Sequence, residues 1–429
     1  MVLQFSPPAK SGITGPRERF QAEVDEQGHL CLPAAVATRL GLRPGARLLV
    51  EALADGFRLG RSLTHLAKVY VEPTNGCNLA CRTCIRHAWN EPQGQMESSV
   101  FERVMTGLAT FSPPPVVFFG GFGEPLAHPD IVDMVAQMAA LGGSVELITN
   151  GILLSADMSQ RLIAAGLDML WVSLDGATPE SYADVRLRQA LPEILANLAS
   201  FRDAAEAVNG HQPRLGIAFV AMKRNIADLP ALLDLGSKLG ATHFLVSNVL
   251  PYTAEMCDEV LYSSALADAP LYGHWQPRLA LPLMDATEVT REPVYQALRR
   301  QLNVSIGASE LSSLGNHCPF VESGAMAIGW DGSVSPCLPL LHDYTNFLNG
   351  HQRYSRRYVL GNVAERDLAE LWNTPEHLAF RQRVSTFDFA PCVSCGVCHL
   401  AETNEDDCFG SGFPSCGGCP WAQGVIQCP

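Results

Sequence analysis

Three cysteines lie within one short stretch of this chain, at Cys77, Cys81 and Cys84. Clustered thiolates are ligands for soft metals, either as zinc sites or as iron–sulfur clusters. Three thiolates on one loop can each bind one iron of a four-iron cluster and leave the fourth iron open. The open iron can chelate a small molecule through an amine and a carboxylate, and methionine offers both. The alternative is a zinc loop, which normally needs four ligands and would use His87 as the fourth.

A second set of cysteines lies near the other end of the chain. Its nine members are Cys318, Cys337, Cys392, Cys395, Cys398, Cys408, Cys416, Cys419 and Cys428. Nine thiolates suffice for two four-iron clusters with one thiolate to spare, so we expect this region to bind metal as well. Zinc in part of the region is the alternative. The two isolated cysteines, Cys31 and Cys257, are expected to be buried apolar residues and not ligands.

The composition is that of a globular protein. The 429 residues, of which 47% are hydrophobic and 17% charged, suggest two or three domains. Neither a secretory leader nor an apolar run of about 18 residues is evident, which predicts a cytoplasmic protein without a membrane segment. In that reducing compartment, fourteen cysteines favour metal binding over disulfides. The net charge of −14 argues against a broad nucleic-acid surface.

Between residues 67 and 250, short apolar runs alternate with amphipathic segments. The predicted strands are Val69–Glu72, Val116–Phe119, Val145–Thr149, Leu170–Leu174, Leu215–Val220 and Phe244–Val246, and the predicted helices are Ile131–Leu141, Met158–Ala165, Ala190–Phe201 and Ile226–Leu239. Successive β–α units imply parallel strands with right-handed crossovers. We therefore predict an α/β fold, a partial (β/α)6 barrel similar to a TIM barrel, with its site at the carboxyl ends of the strands.

Candidate binding residues follow several of these strands at the same end. They are Gly121, Gly123 and Glu124 after the second strand, Asn150 after the third, Ser173, Asp175 and Arg186 after the fourth, and Asn225 after the fifth. Each of them alone could be a capping or turn residue. Their common position beyond neighbouring parallel strands favours one shared binding site.

The cysteine loop, directly after the first predicted strand, resembles that of the radical SAM superfamily, whose hallmark is the Cx3Cx2C spacing from Cys77 to Cys84. The resemblance implies that a four-iron cluster cleaves S-adenosylmethionine (SAM) reductively. Gly120–Pro125 resembles the family's GGEP motif, in which backbone carbonyls approach the ammonium of SAM and the glutamate anchors the loop or the ammonium. Thr83 departs from the family's usual aromatic residue, which concerns the packing of adenine.

The same resemblance implies roles for candidates after later strands. It assigns Ser173, Asp175 and Arg186 to the ribose hydroxyls and the carboxylate of SAM. Asn225 is a further candidate for the ribose. Thr149-Asn150-Gly151, after the third strand, belongs to the same set of strand ends.

The spacing of thirteen residues from Cys318 to Gly332, and four more to Cys337, resembles the first half of a SPASM-type domain. Such domains carry auxiliary clusters in radical SAM enzymes that modify peptides and proteins, which implies one or two auxiliary four-iron clusters here. The second half departs from the family's CxxC-x5-C-x3-C pattern. Our preferred division gives one cluster Cys318, Cys337, Cys419 and either Cys408 or Cys416, and gives the other Cys392, Cys395, Cys398 and Cys428.

The first 66 residues predict a small β-rich domain. A strand ending at Val24, a turn at Asp25–Gly28, a strand over His29–Pro33, a short helix and a hairpin follow one another. The order of G-H-L-x-L-P, L-G-L-x-P-G and a final hairpin resembles AbrB-type swapped-hairpin domains, which intertwine as dimers and usually bind DNA. Arginine and acidic residues are mixed here, so we favour a homodimer or partner docking over DNA binding.

Two stretches narrow the resemblance further. Glu72–Cys77 with Ile85–Pro92, and Asn404–Gly410 with Cys419–Pro429, resemble the radical SAM maturases associated with tungsten-containing aldehyde oxidoreductases. This resemblance implies a peptide, protein or cofactor precursor as substrate, such as the tungsten oxidoreductase or its small companion. It also implies ferredoxin or flavodoxin as the reductant.

The predicted organisation is an AbrB-like domain at 1–66, a partial barrel at 67–250, a linker or barrel-closing region at 251–315 and a SPASM-type domain at 316–429. A general ribosomal-peptide maturase, forming thioether or carbon–carbon crosslinks, would share these domains. The sequence is also compatible with an AbrB-like, metal-sensing DNA-binding regulator or with a zinc-stabilised docking scaffold.

Two features of the metal regions have competing interpretations. Glu405, Asp406 and Asp407 are either a proton acceptor beside an auxiliary cluster or a solvated acidic loop. Trp89 and Trp421 are interpreted as packing residues and not as substrate-stacking residues.

Overall fold

A computed structural model describes residues 21–39, 48–53, 56–208, 210–263, 284–300, 304–306, 317–395 and 398–429. The L-G-L-x-P-G segment at 40–45, the start of the first predicted strand and much of the predicted linker lie outside these ranges. Across the described ranges, none of the helices has the length and apolar character needed to span a membrane.

The N-terminal elements follow the predicted order. Strands β1 (Glu23–Val24) and β2 (Leu30–Cys31) pair antiparallel, α1 spans Ala34–Arg39, and β3 (Leu48–Leu53) forms a hairpin with β4 (Gly56–Ser62). The AbrB-like assignment and the homodimer stay predictions.

The expected burial of the two isolated cysteines is wrong. Cys31 is exposed, because a two-stranded sheet has too little area to bury both faces, and Cys257 is only partly buried. Neither position is therefore explained as core packing.

A ten-stranded sheet organises the rest of the molecule. Its strands are β5 (Lys68–Val71), β6 (Val116–Phe119), β7 (Val145–Thr149), β8 (Met169–Ser173), β9 (Arg214–Ala221), β10 (Ala241–Asn248), β11 (Val304–Ile306), β12 (Ala325–Ile328), β13 (Ser333–Ser335) and β16 (Gly361–Asn362), while β14 (Tyr344–Leu348) and β15 (His351–Ser355) form a separate hairpin. Strands β5 to β11 run parallel in sequence order. The predicted series of six parallel strands is thus confirmed.

The C-terminal region extends this sheet at its other edge. β12 pairs parallel with β5, and β13 and β16 follow antiparallel. The sequence analysis predicted neither β12 nor β11 at the opposite edge. The cysteine-rich domain therefore continues the sheet of the partial barrel.

Helices connect the parallel strands and follow them in the C-terminal region. They are α2 (Ser98–Leu108), α3 (Ile131–Ala140), α4 (Ala156–Ala164), α5 (Pro179–Arg186), α6 (Leu191–Glu206), α7 (Leu229–Lys238), α8 (Glu288–Arg299), α9 (Pro319–Glu322), α10 (Leu368–Trp372) and α11 (Pro375–Thr386). The four predicted helices are confirmed to within a few residues, except that α6 extends five residues further. The short, polar α5 was missed; a capping box between Thr178 and Ser181 begins it.

Side chains of the sheet alternate between two apolar layers, as strand geometry requires. On β5, Val69 and Val71 pack with the outer helices, whereas Tyr70 belongs to the inner layer. The inner layer joins sheet residues Tyr70, Phe118 and Trp171 to Phe320, Trp421 and Val425 of the C-terminal region. The C-terminal region thus covers the inner face of the partial barrel.

The last described residues run along this inner face. Asn248, at the carboxyl end of β10, donates a hydrogen bond to the carbonyl oxygen of Val425 (3.0 Å). At the opposite end of the sheet, Lys68 donates to the carbonyl oxygen of Pro429 (3.0 Å) and forms a buried ion pair with Glu146 (3.1 Å). Among the described residues, the last segment of the chain therefore occupies the inner face of the barrel from the carboxyl end of β10 to the amino end of β5.

We predict that Lys68→Met destabilises the protein strongly, by about 3–5 kcal/mol, because it leaves Glu146 buried and unpaired. The double variant Lys68→Met/Glu146→Leu should regain part of that loss. Thermal unfolding monitored by circular dichroism gives the comparison. Arg161→Met, which breaks an exposed pair with Asp157, is the control and should cost about 0.5 kcal/mol or less. Equal melting temperatures for Lys68→Met and the control would contradict this account.

Candidate active site

The cysteine loop leaves β5 and ends in a single 3-10 turn, Ile85–His87. Cys81 is buried, Cys77 and Cys84 are partly buried, and all three thiols are free of disulfides. Burial raises the pKa of Cys77 and of Cys84, and the nearby guanidinium of Arg86 opposes both shifts. Such thiols ionise when a metal replaces their protons.

The geometry of this loop differs from that of a single-ion site. The Nε2 atom of His87 lies 2.8 Å from the backbone oxygen of Cys81, so the imidazole is held by the loop itself. Within the ranges that the structure describes, no three His, Cys, Asp or Glu side chains converge on one metal position. A four-iron cluster requires wider spacing, because each thiolate binds a different iron.

Glu124 is the buried centre of the loops that follow β6 and β7. Its Oε1 accepts hydrogen bonds from the hydroxyl of Thr149 (2.7 Å) and the N–H of Leu126 (3.1 Å), and its Oε2 accepts from the N–H of Asn150 (2.8 Å). Burial raises the pKa of Glu124, and the three donors limit the rise. Glu124 therefore anchors the loop, which is one of the two roles expected for it.

Gly123 allows this loop to approach the cysteine loop. The N–H of Glu124 donates to the carbonyl oxygen of Gly76 (2.8 Å). A Cβ atom on Gly123 would lie 2.1 Å from the carbonyl oxygen of Thr74, which is an impossible contact. The position requires glycine because two backbones meet there.

Asn150 extends the connection to the first thiol. Its amide nitrogen donates to the Oδ1 atom of Asn78 (2.7 Å) and lies 3.9 Å from the sulfur of Cys77. The sequence analysis missed Asn78, and it also missed Asn75, which bonds to the backbone of Pro92 (2.9 Å) and folds the following segment over the loop. In the sequence, only their position close to Cys77 could have identified these two asparagines as part of the site.

Arg186 and Asp175 form a buried ion pair beside the second thiol. The two side chains are 2.7 Å apart, and Arg186 also donates to the sulfur of Cys81 (3.6 Å). Burial opposes the charge on Arg186, but Asp175 and Cys81 outweigh it and raise the pKa of the guanidinium. A permanent positive charge is thereby held next to the cysteine loop.

The remaining predicted binding residues are Ser173, Gly121 and Asn225. Ser173 is half-buried at the end of β8, and Gly121 adjoins Glu72. Asn225 is buried, donates to the backbone oxygens of Asp175 (3.0 Å) and Val220 (2.9 Å), and accepts from the N–H of Met222 (2.8 Å). These bonds assign Asn225 to holding the loop, and a role in ribose binding stays a prediction.

Three buried donors beside the thiols lack a hydrogen-bond partner among the residues that the structure describes. They are the Nε atom of Arg186, the Nδ2 atom of Asn78 and the Nη1 atom of Arg86. Leaving such a donor unpaired costs about 1–3 kcal/mol. An anionic group with free lone pairs, such as the carboxylate of SAM, would satisfy them. The residues present therefore fit both a cluster on the three thiols and SAM beside it.

The C-terminal cysteines fall into two groups. The first contains Cys318, Cys337, Cys416 and Cys419, since the other three all act on the pKa of Cys337. Cys318 precedes and Cys337 follows the β12–β13 hairpin, whose turn contains Gly332 with a positive φ of 82°. Burial, and after it the charge of the neighbouring thiolates, raises the pKa of Cys318 to about 12. The pKa values of Cys337 and Cys416 are raised well above the ordinary value for the same reasons.

The second group contains Cys392, Cys395, Cys398 and Cys408. Burial and neighbouring negative charges, including Cys395 and Cys408, raise the pKa of Cys392 to about 11. The pKa of Cys395 is raised by burial and then by Cys398 and Cys408. Cys395 and Cys408 are exposed, so this group reaches the protein surface.

Our preferred division left Cys408 and Cys416 as alternatives for the first cluster, and the structure groups Cys416 there. The grouping differs from that division in one respect, because Cys408, and not Cys428, lies with Cys392, Cys395 and Cys398. Cys428 lies on the inner face of the barrel, where the indole N–H of Trp421 donates to its sulfur (3.2 Å). The chain turns inward after Cys419, and the sequence spacing alone does not show that turn.

A buried arginine organises the space between these groups. Arg353 donates to the backbone oxygens of Ala401 and Gly418, and it interacts with Cys392 of one group and Cys419 of the other. A buried cation between two sets of thiolates offsets part of their negative charge.

Neither interpretation of the acidic stretch fits Asp407. It is buried and accepts hydrogen bonds from the N–H groups of Phe409, Ser411 and Ala390 (3.0 Å each). It is therefore a structural residue, whereas Glu405 and Asp406 are exposed as a solvated loop would be. The packing interpretation is confirmed for Trp421, which is buried, and Trp89 packs against Phe122 (5.6 Å between ring centroids).

Two small cavities open at the mouth of the barrel. One, of about 170 Å³, borders Cys84, Arg86 and Trp89. The other, of about 280 Å³, borders Trp330, His342 and Arg357 of the C-terminal domain. Glu91 belongs to both linings.

Comparison with known families agrees with this geometry. Residues 71–210 match the radical SAM superfamily, and residues 318–399 match the SPASM iron–sulfur cluster-binding domain. The chain belongs to the radical SAM superfamily, and it is a SAM-dependent enzyme that carries a four-iron cluster and a SPASM domain for auxiliary clusters. Over 368 residues it is 30% identical to the tungsten-containing aldehyde ferredoxin oxidoreductase cofactor-modifying protein of Pyrococcus furiosus, covering 84% of this chain and 96% of that protein.

Other relatives are more distant. The chain is 26% identical over 338 residues to the AdoMet-dependent heme synthase of Methanosarcina barkeri, covering 76% of this chain and 86% of that protein. Among solved structures, Streptococcus suis SuiB bound to its precursor peptide SuiA aligns with a TM-score of 0.53 at 18% identity, over 81% of this chain and 72% of that chain. At that identity the likeness shows a shared fold.

We predict that Cys408→Ala removes one auxiliary cluster, about four irons, because it takes a thiol from the second cysteine group. Cys428→Ala should retain all the iron, since the sulfur of Cys428 lies on the inner face of the barrel and accepts a hydrogen bond from Trp421, although Cys419 of the first group also acts on it. Iron and sulfide analysis of anaerobically reconstituted protein, with Cys31→Ala as the control, measures the difference. Loss of a cluster in Cys428→Ala and not in Cys408→Ala would restore the division expected from the sequence.

Proposed function

We propose that this enzyme is a maturase for a tungsten-containing aldehyde oxidoreductase system, acting on a peptide, a protein or a cofactor precursor. The observation that carries the proposal is the 30% identity with the Pyrococcus furiosus cofactor-modifying protein across nearly its whole length. Ferredoxin or flavodoxin would be the reductant, and ferredoxin occurs in the name of the oxidoreductase that the relative serves.

The chain's own residues supply the binding site in this proposal. Cys77, Cys81 and Cys84 hold three irons of the cluster, which with bound SAM supplies reductive cleavage to methionine and a 5′-deoxyadenosyl radical. Arg186 orients the SAM carboxylate by charge, and Asp175 fixes the guanidinium (2.7 Å). The Gly120–Pro125 loop presents backbone carbonyls to the SAM ammonium, and its position is fixed by Glu124.

The substrate would approach from the mouth of the barrel. The C-terminal segment occupies the inner face of the barrel, and the cavities at the mouth hold about 170 and 280 Å³. A large substrate could therefore present one side chain or one end to the radical while most of its mass stays outside. The two auxiliary clusters, held by the two cysteine groups, would accept the electron released when the product radical is oxidised, or bind the substrate directly.

A general peptide maturase is the second candidate function. The fold shared with SuiB in complex with SuiA favours it, because that protein binds a precursor peptide. Identification of the substrate separates the two candidates: a tungsten oxidoreductase component modified by the enzyme supports the first, and an unrelated precursor peptide supports the second.

The enzyme reconstituted without oxygen should release 5′-deoxyadenosine from SAM when dithionite is added. Cys81→Ala should reduce that release at least a hundredfold, because a cluster with two protein thiolates is not retained at the loop. Mass spectrometry measures the product, and iron analysis should show a loss of about four irons from a total of about twelve.

Cys257→Ala, at a partly buried cysteine outside both metal regions, is the matched control and should cleave SAM at the wild-type rate. If the reconstituted wild-type protein yields no 5′-deoxyadenosine, or if Cys81→Ala yields as much as the control, the proposed chemistry is wrong.

A further inference from the structure

A buried triad of side chains joins the two metal-binding domains at the mouth of the barrel. The Nε2 atom of His342 lies 2.7 Å from Oε2 of Glu72, and its Nδ1 atom faces Oε2 of Glu91. His342 is 5% exposed and Glu72 1%. Glu72 follows β5 and Glu91 follows the cysteine loop, whereas His342 belongs to the C-terminal domain.

Both ring nitrogens of His342 face carboxylate oxygens. An ionised carboxylate only accepts hydrogen bonds, so the charged imidazolium, with a hydrogen on each nitrogen, is the form that can donate to both. Burial opposes the resulting charge, but the bonds to Glu72 and Glu91 outweigh it and raise the pKa of His342 to about 9. Other charged or titratable groups near the triad are Arg357, Asp343 and Asp331, which border the cavity beside His342, and Arg86 and His87, which border the cavity beside Glu91.

Glu72 connects His342 to the glycine-rich loop. Its second oxygen, Oε1, accepts a hydrogen bond from the N–H of Phe122 (3.0 Å). A Cβ atom on Gly121 would lie 2.7 Å from Cγ of Glu72, so the loop is packed directly on this side chain. The ring of Phe122 also packs edge-on against His342, with centroids 5.5 Å apart.

The second arm of the triad constrains the segment after the cysteines. Glu91 accepts the other hydrogen of His342, and burial is outweighed by that bond, so the pKa of Glu91 is lowered. Trp89 packs on the imidazole with centroids 4.6 Å apart. One imidazolium thus holds elements on both sides of the SAM site.

We propose that His342 is a positioning residue for SAM, through which the auxiliary-cluster domain sets the geometry of the Gly120–Pro125 loop. This inference rests on the proposed role of that loop in binding the SAM ammonium. Replacing His342 leaves Glu72 without its cationic partner and frees it to turn away from the N–H of Phe122. Affinity for SAM should then fall, while the three cysteines, which His342 does not contact, keep their cluster.

The test compares His342→Gln with the wild type, both reconstituted as holoenzymes. We expect the KM for SAM in 5′-deoxyadenosine formation to rise roughly tenfold, the effect of losing one charge-assisted hydrogen bond. Iron content and the spectrum of the SAM-binding cluster should not change. His211→Gln is the matched control, because its exposed pair with Asp168 lies at the opposite end of the sheet.

The pH dependence distinguishes positioning from general structural support. Because the pKa of His342 is raised, the charged form is present at neutral pH and is lost as pH rises through about 9. The KM for SAM of the wild type should therefore rise through that range, and that of His342→Gln should not. In Glu91→Gln, one of the two carboxylates that raise the pKa of His342 is missing, so the rise in the KM for SAM should begin at lower pH.

Equal KM values and equal pH profiles for wild type, His342→Gln and His211→Gln would overturn the inference while leaving the proposed function intact. Absence of SAM cleavage in the wild type would overturn the proposed function instead. A variant that loses its iron together with its SAM affinity would assign His342 to general folding and would also contradict positioning.

Discussion

The site depends on one buried carboxylate that ties together the ends of three parallel strands. Glu124 binds the loop after β7 through Thr149 and Asn150, and its own N–H holds the loop after β5 at Gly76. Asn150 then reaches Asn78 and the first cysteine. A carboxylate buried this deeply is tolerated only when its oxygens are hydrogen-bonded, so the loops must keep this arrangement. The hydrogen bonds of Glu124 and Asn150 therefore fix the position of the cysteine loop.

The second constraint is the continuity of the sheet. Because β12 pairs with β5, the strand that leads into the cysteine loop is also the strand on which the C-terminal domain is built. The same domain covers the inner face of the sheet, and its final segment runs along that face. The two metal-binding regions therefore form one packed unit, joined by strand pairing and by an apolar layer.

Local patterns predicted much of this architecture and part of the site. The six parallel strands follow from apolar runs between helices, and the cysteine loop follows from a spacing that is complete within eight residues. Asp175 and Arg186 were expected at the same end of the strands as the cysteine loop, and the structure pairs them beside Cys81, while their roles in SAM binding stay predictions. The assignment of the fold and the enzyme class needed nothing beyond these local signals and the family resemblance.

Features that depend on distant parts of the chain were not predictable in the same way. Strands β11 and β12 are short and pair across long separations, so their sequences carry little signal. The grouping of Cys408 and Cys428 depends on where the chain turns after Cys419. The burial of Asp407 depends on backbone donors from Ala390 and Ser411 that only the fold brings near. His342 carries no motif, and only its two carboxylate partners reveal it.

The central claim is that the three thiolates of Cys77, Cys81 and Cys84 leave one iron for SAM. Electron–nuclear double resonance on the reduced enzyme, with SAM isotopically labelled at its amino nitrogen, tests it directly. We predict a hyperfine coupling between the cluster and that nitrogen, and its loss in Cys81→Ala. A reduced wild-type cluster that binds SAM without any such coupling would contradict the account.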